Sequence, residues 1–93
     1  MSHVLLRSKA FVRSAKQFVK GDRKRAEKIT ETLRLLAKDP WQPSLRTHKL
    51  KGKLDGSWAC AAGYDLRILF DFVEEGDQPT ILLLAVGTHK EVY

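Results

Sequence analysis

The sequence predicts an α+β fold in which two antiparallel helices pack on one face of a curved, mainly antiparallel sheet of about four strands. Two amphipathic helical patterns come first, and three strand-like segments with short turns follow them. A length of 93 residues indicates a single domain spanning residues 1–93. The composition, 43% hydrophobic and 30% charged, is that of a globular protein and excludes a disordered chain.

The first half predicts a short strand and a helical hairpin. The strand covers His3–Arg7, and the helices run from N-caps at Ser8 and Asp22 to about Lys20 and Lys38. Apolar residues recur at helical spacing on each helix: Phe11, Ala15, Phe18 and Val19 on the first, and Ala26, Ile29, Leu33 and Leu36 on the second. The short turn between the helices predicts that they are antiparallel neighbours.

The second half predicts an antiparallel meander. Residues 40–56 contain two prolines and two glycines and predict a loop or a ragged strand. The strands are expected at Ser57–Ala62, Asp65–Val73 and Thr80–Val86, with turns at Gly63-Tyr64 and Glu74–Pro79. In the middle strand one face is apolar (Leu66, Ile68, Phe70, Phe72) and the other carries Asp65, Arg67, Leu69 and Asp71.

The positive charge is concentrated in the first half. Residues 1–53 hold fifteen of the seventeen Lys and Arg against four acids, a net of +11, whereas residues 54–93 have two cations and seven acids, a net of −5. This asymmetry favours a polyanionic partner, most simply nucleic acid. The alternative is a set of solvated helix faces balanced by an acidic half.

Several classes of protein are excluded by the same sequence. No apolar run approaches the ~20 residues of a membrane span, and the N-terminal apolar stretch is too short for a secretory signal. The single cysteine, Cys60, fits a reducing cytoplasm, where we expect the protein to act. The three histidines and Cys60 lack metal-ligand spacing and no phosphate-binding loop is present, so no metal or cofactor is expected.

Three clusters could carry chemistry on a polyanion. In the basic loop beginning at Arg46, an extended conformation would place Lys49, Lys51 and Lys53 on one side, along a phosphate backbone. The alternative for this loop is a lysine-rich solvated surface.

The second cluster is Asp65 and Arg67, two residues apart on the face of the strand that does not join the core. An arginine fixed on a strand suits the charge that develops on a phosphate during its transfer. The alternative is a local ion pair on a solvated face.

The third cluster, His89 and Tyr93, follows the last strand. Histidine can exchange a proton near neutral pH, and tyrosine can stack on a base or donate its hydroxyl. The alternative is a frayed chain end. Among the aromatic residues, Trp58 is expected in the core. Trp41 and Tyr64 could stack on bases, and Trp41 could equally pack its loop against the helices.

The order of these motifs resembles the RelE/ParE superfamily of toxins from type II toxin–antitoxin systems. The helical hairpin, the segment HKLKGKLDGSWACAAGYDLRILFDF and the ending GTHKEVY together look most similar to the YafQ branch. The resemblance implies a RelE-like fold and a metal-independent endoribonuclease that cuts mRNA in the ribosomal A site. It also implies a cognate antitoxin as neutralising partner, and no membrane association.

By this resemblance His48, Asp65 and His89 match active-site positions. Tyr93 matches an aromatic residue of the C-terminal motif, and Arg67 matches an arginine that stabilises the phosphate. The basic loop, with Arg46, Lys49, Lys51 and Lys53, and also Lys90 after the last strand, would contact RNA or the ribosome.

Two positions depart from the YafQ pattern, which has a histidine where this chain has Ala61 and a tryptophan where it has Leu66. These departures leave open which residue is the general base, which is the general acid and which codons are preferred. Because the fold also hosts ParE-like inhibitors of DNA gyrase, a protein that acts by binding alone is an alternative. A non-catalytic RNA-binding module is a third possibility.

Overall fold

The computed structural model describes residues 2–51, 56–63 and 65–88. It contains two helices, a short 3-10 turn and five strands, which confirms the α+β fold. The elements in chain order are β1 (Val4–Arg7), α1 (Lys9–Val19), α2 (Arg23–Lys38), the 3-10 turn (Pro43–Leu45), β2 (His48–Lys49), β3 (Trp58–Ala62), β4 (Leu66–Glu75) and β5 (Gln78–Gly87). In this part of the chain neither helix is long and apolar enough to cross a bilayer.

The strands form one sheet in the order β1-β5-β4-β3-β2. The pairs β2–β3, β3–β4 and β4–β5 are antiparallel, whereas β1 runs parallel to β5 at the far edge. The sheet therefore has one strand more than expected. The additional strand is the two-residue β2, which lies within the segment predicted as a loop or ragged strand.

The helices begin at the predicted caps. The Ser8 hydroxyl accepts a hydrogen bond from the Phe11 N–H (3.0 Å), and an Asp22 carboxylate oxygen accepts one from the Arg25 N–H (3.1 Å). Each cap satisfies a backbone donor that the first helical turn leaves without an intrahelical partner.

The apolar stripe predicted for α2 is wrong at Ala26, which is exposed, while Ile29, Leu33 and Leu36 are buried as expected. In the first turn of α2 the half-buried residue is Arg25. Its guanidinium lies 4.4 Å from the centre of the Phe18 ring. A long cationic side chain thus covers the end of the hairpin, where a methyl group would be too short to reach.

The hairpin between β4 and β5 is longer than predicted. The strands continue to Glu75 and from Gln78, so the turn is only Gly76-Asp77 rather than Glu74–Pro79. Gly76 has the positive φ, +65°, that a two-residue hairpin turn requires. Pro79 is tolerated in β5 because it opposes Glu74, next to the Glu75–Gln78 pair that closes the hairpin. In an antiparallel ladder the neighbour of a hydrogen-bonded pair needs no N–H donor.

The main core lies between the helices and one face of the sheet. Phe11, Phe18 and Leu36 meet Ile68 and Phe70 there, with Cys60 fully buried beneath them. A register shift opposite Leu69-Phe70 places Leu84 as an extra residue in β5. Because the bulge reverses the alternation, Leu83 and Val86 both face this core.

Ser14 ties α1 to β5 just beyond the bulge. Its hydroxyl accepts a hydrogen bond from the Val86 N–H (3.0 Å) and donates one to the Phe11 carbonyl (3.0 Å). Val86 is buried, so removal of the hydroxyl leaves a buried donor without a partner.

We expect Ser14→Ala to lower the free energy of unfolding by about 1–3 kcal/mol. The measurement is the midpoint of urea unfolding. Ser44→Ala is the matched control, because Ser44 is exposed and its hydroxyl donates a long hydrogen bond (3.3 Å) to the Gln42 side chain. Equal midpoints for the two variants would contradict this role of Ser14.

Candidate functional site

The candidate site lies on the face of the sheet that turns away from the helices, here called the open face. Cross-strand register places His48, Ala59, Leu69 and Ala85 in one row across four strands, and Ala61, Arg67 and Gly87 in the next row. Leu50, Ala59 and Leu69 form a small second core on this face. The open face is therefore a firm apolar surface on which His48 and Arg67 are brought to the same side.

Arg67 projects from β4, which has a neighbour on each side in the sheet. Its two cross-strand neighbours are Ala61 and Gly87, the first with a one-carbon side chain and the second with none. Neither cross-strand partner therefore places a bulky side chain beside Arg67, and both positions are buried. Its Nη1 donates to the Leu66 carbonyl (3.0 Å), a contact that orients the fork and uses one of its five donors.

His48 lies on the exposed edge strand β2, opposite Ala59. Its Nδ1 is 2.8 Å from the carbonyl oxygen of Arg46. Because a carbonyl only accepts, the neutral ring carries its proton on Nδ1, and Nε2 is the basic nitrogen. Arg46 has a left-handed backbone (φ 51°) at the end of the 3-10 turn, a conformation that brings its carbonyl to His48.

Strand spacing places the backbones of His48 and Arg67 about 12 Å apart, two strands across and two residues along. Both side chains are long enough to reach toward the space between them. A ribose and its 3′ phosphate are of the size that such a gap accommodates.

Asp65 is not paired with Arg67. It lies in the turn before β4, and its carboxylate is 3.9 Å from the Arg25 guanidinium, which also contacts Asp22 at 3.8 Å. Arg25 in addition donates to the Phe18 carbonyl (3.0 Å). Both side chains of the Arg25–Asp65 pair are nearly half exposed (43% and 48%), so the contact places the hairpin beside the start of β4 and contributes about 0–1 kcal/mol.

The cations predicted to bind RNA do not all lie on one side. Lys49 opposes Trp58, so its side chain leaves β2 on the face of the sheet opposite to that of His48. Lys51 and Arg46 are exposed and lie outside strands. The predicted positions Lys53, Lys90, His89 and Tyr93 lie outside the described residues, as does Tyr64.

The position of β5 nevertheless bears on His89. Gly87, two residues earlier in the chain, is the cross-strand partner of Arg67. Strand β5 therefore ends at the residue that pairs with Arg67.

Two further titratable groups on the sheet, Asp71 and Cys60, have no place in the proposed reaction. Asp71, on the same face of β4 as Arg67, has a buried carboxylate oxygen without a hydrogen-bond partner among the described residues. The strand alternation already placed Asp71 on this face, but an isolated acid gave no signal of function.

Cys60 faces the core, and its burial raises the pKa of the thiol to about 12, against the opposing influence of the Arg67 charge and a backbone hydrogen bond at Ile68. The thiol stays protonated near neutral pH and is not a nucleophile.

The fold is that of several small bacterial toxins of known structure. The YoeB/ParE toxin from Agrobacterium tumefaciens is 17% identical (TM-score 0.73, covering 92% of this chain and 98% of that one). YafQ from E. coli, also solved in a DinJ–YafQ complex, is 16% identical (TM-score 0.75, covering 98% of each chain). A conserved hypothetical protein from Helicobacter pylori is 25% identical over the full length of both chains (TM-score 0.72).

The family model described as "Bacterial toxin of type II toxin-antitoxin system, YafQ" matches residues 4–93. This chain therefore belongs to the YafQ family of type II toxins, and the predicted RelE-like fold is confirmed. No curated protein sequence matches it significantly.

Proposed function

We propose that this protein is a ribosome-dependent mRNA interferase, a metal-independent endoribonuclease that cuts mRNA in the ribosomal A site and so halts translation in the cytoplasm. The observation that carries the proposal is the placement of Arg67 between Ala61 and Gly87, on the same face as His48. Family membership and the net charge of +6 support a polyanionic substrate.

The proposed reaction is attack of a ribose 2′-OH on the adjacent phosphodiester. The tautomer of His48 suits Nε2 as the base that takes the 2′-OH proton. Arg67 stabilises the charge that develops on the phosphate, and its firm strand position means that little reorganisation is needed. His89 protonates the departing 5′ oxygen, and Tyr93 stacks on a base.

The anchored position of Asp65 supports an orienting role rather than proton transfer. Its carboxylate is paired with Arg25 and lies before the strand that carries Arg67. We assign to Arg46, Lys51, Lys53 and Lys90 the contacts to the RNA backbone, each of which contributes to a salt-dependent affinity.

An antitoxin is the proposed protein partner. The DinJ–YafQ complex from E. coli supports it, because that fold binds a second protein. The cationic first half makes an acidic antitoxin segment the complementary ligand, since opposite charge speeds encounter and fixes register.

The test is to map mRNA 5′ ends after incubation with the protein, with and without programmed ribosomes. Cuts inside codons that require ribosomes are expected. A parallel assay of DNA gyrase supercoiling addresses the ParE-like alternative. Intact mRNA together with inhibited supercoiling would overturn the proposal in favour of a gyrase inhibitor.

A further inference from the structure

Trp41 is the most exposed large apolar residue among those that the structure describes, with 55% of its surface accessible. It follows the buried Pro40 at the end of α2, on the helix side of the sheet and therefore away from the open face. Aromatic residues are enriched at contact surfaces relative to the rest of a protein surface, so an ordered and exposed indole is a candidate contact.

The indole is held firmly despite this exposure. Its ring stacks on Phe72 (centroids 5.4 Å apart, planes at 21°) and meets Trp58 edge-on (5.2 Å, 83°). The backbone N–H of Trp41 donates to an Asp39 carboxylate oxygen (3.0 Å), and this bond fixes the backbone as well. Phe72 and Trp58 together hold the ring, so a ligand that stacks on its exposed part finds it already ordered and little side-chain entropy is lost.

A cation lies on the same side of the sheet. Lys49 is the cross-strand partner of Trp58, which contacts Trp41, and the Lys49 side chain leaves β2 on the helix side. A hydrogen bond from the Thr47 hydroxyl to the Pro40 carbonyl (2.5 Å) ties the two segments together. Trp41 and Lys49 thus lie on the same side of the sheet, each a neighbour of Trp58, and we call the two residues together the Trp41 platform.

We propose that the Trp41 platform binds a nucleobase of single-stranded RNA by stacking, with Lys49 on the adjacent phosphate. The pairing of an ordered, exposed aromatic face with a nearby cation is the arrangement that holds single strands without reading their sequence. The proposal rests on the proposed function only in taking RNA as the polyanion. It places a second RNA contact outside the cleavage site. It also gives Lys49 a role in RNA binding on the helix side, since its side chain does not lie on the open face.

The test uses a single-stranded RNA of about ten nucleotides, within the usual range of site sizes, with 2′-O-methyl riboses that prevent cleavage. Affinity is measured by fluorescence anisotropy and contact with Trp41 by quenching of tryptophan fluorescence. Trp41→Leu should weaken binding about tenfold or more and abolish most of the quenching, while Trp41→Phe should bind within a few-fold of the natural protein. Lys49→Gln should reduce the dependence of log affinity on log salt by about one unit.

Leu6→Ala is the matched control, because Leu6 is an exposed apolar residue on the opposite edge strand, and no loss is expected. Unchanged affinity of Trp41→Leu overturns the proposal, as does the absence of measurable binding by the natural protein. Loss of antitoxin binding with RNA binding intact would also overturn it and assign the platform to a protein partner.

The same preparations separate this proposal from the proposed function. RNA binding that depends on Trp41, in a protein that cuts no mRNA on ribosomes, would keep the platform and reject the nuclease. Ribosome-dependent cutting of mRNA by a protein whose affinity for RNA is unchanged by Trp41→Leu would keep the nuclease and reject the platform.

Discussion

His89→Ala is expected to slow single-turnover cleavage of mRNA on programmed ribosomes by about 10²–10⁴-fold with the fold intact. This is the usual contribution of a positioned acid or base, and the proposed role of His89 is to protonate the 5′ oxygen as it leaves. The chain reaches His89 two residues after Gly87, which is paired with Arg67, so the histidine follows the strand beside the phosphate site in sequence.

The control for His89→Ala is Lys16→Ala, a change at an exposed position of α1 that should leave the cleavage rate unaltered. Circular dichroism and the urea midpoint establish that both variants are folded. A His89→Ala protein that cleaves at nearly the natural rate would remove His89 from the reaction.

Arg67→Gln is expected to lower the cleavage rate by about 10²–10³-fold, the effect typical of deleting one preorganised donor to a developing charge. The glutamine keeps a polar side chain on β4 but carries no charge. Arg67→Lys should recover only part of the rate, because an ammonium restores the charge and not the planar fork.

Arg34→Gln is the matched control for charge, since Arg34 is exposed on α2 and lies on the helix side of the molecule. Its rate should equal that of the natural protein. If both arginine variants lost the same small factor, the effect of Arg67 would be one of general charge rather than of position.

These two effects depend on features of the fold that are far from the reacting atoms. The Ser14 hydroxyl satisfies Val86 immediately before Gly87, and Arg25 holds Asp65 before the strand of Arg67. The helical hairpin therefore contacts both strands that border the phosphate position, and its hydrogen bond to β5 is the stronger of the two contacts.

The local features of the fold could be predicted because each depends on neighbours in the sequence. Ser8 and Asp22 cap helices by bonding to residues three positions on, and the alternation in β4 places Arg67 opposite the core without reference to other strands. The open-face location of Arg67 followed from that alternation alone.

The features that were missed depend on partners distant in sequence. Strand β2 contains only two residues and exists because His48 and Lys49 pair with Ala59 and Trp58. The same pairing sends Lys49 to the helix side, which the expected row of three lysines did not anticipate. The predicted turn is too long because it includes Pro79. The strand accepts this proline because it lies beside the hydrogen-bonded pair that closes the hairpin, and only the register shows that position.

The sequence predicted part of the placement of the candidate residues. His48 and Arg67 are on one face, as their assignment to one site requires, whereas Asp65 is paired with Arg25 rather than Arg67. The partner of Asp65 comes from forty residues earlier in the chain, a contact that no local pattern reveals. The roles of His48, Asp65, Arg67, His89 and Tyr93 stay predictions.

The most direct test of the central claim is cleavage of an mRNA with a single 2′-deoxynucleotide immediately 5′ to the mapped cut, bound to programmed ribosomes. If the 2′ oxygen is the nucleophile, the deoxy message should be bound as well as the all-ribose message but should not be cut at that position. Cleavage of the deoxy message at the natural rate would contradict 2′-OH attack and the roles proposed here for His48, Arg67 and His89.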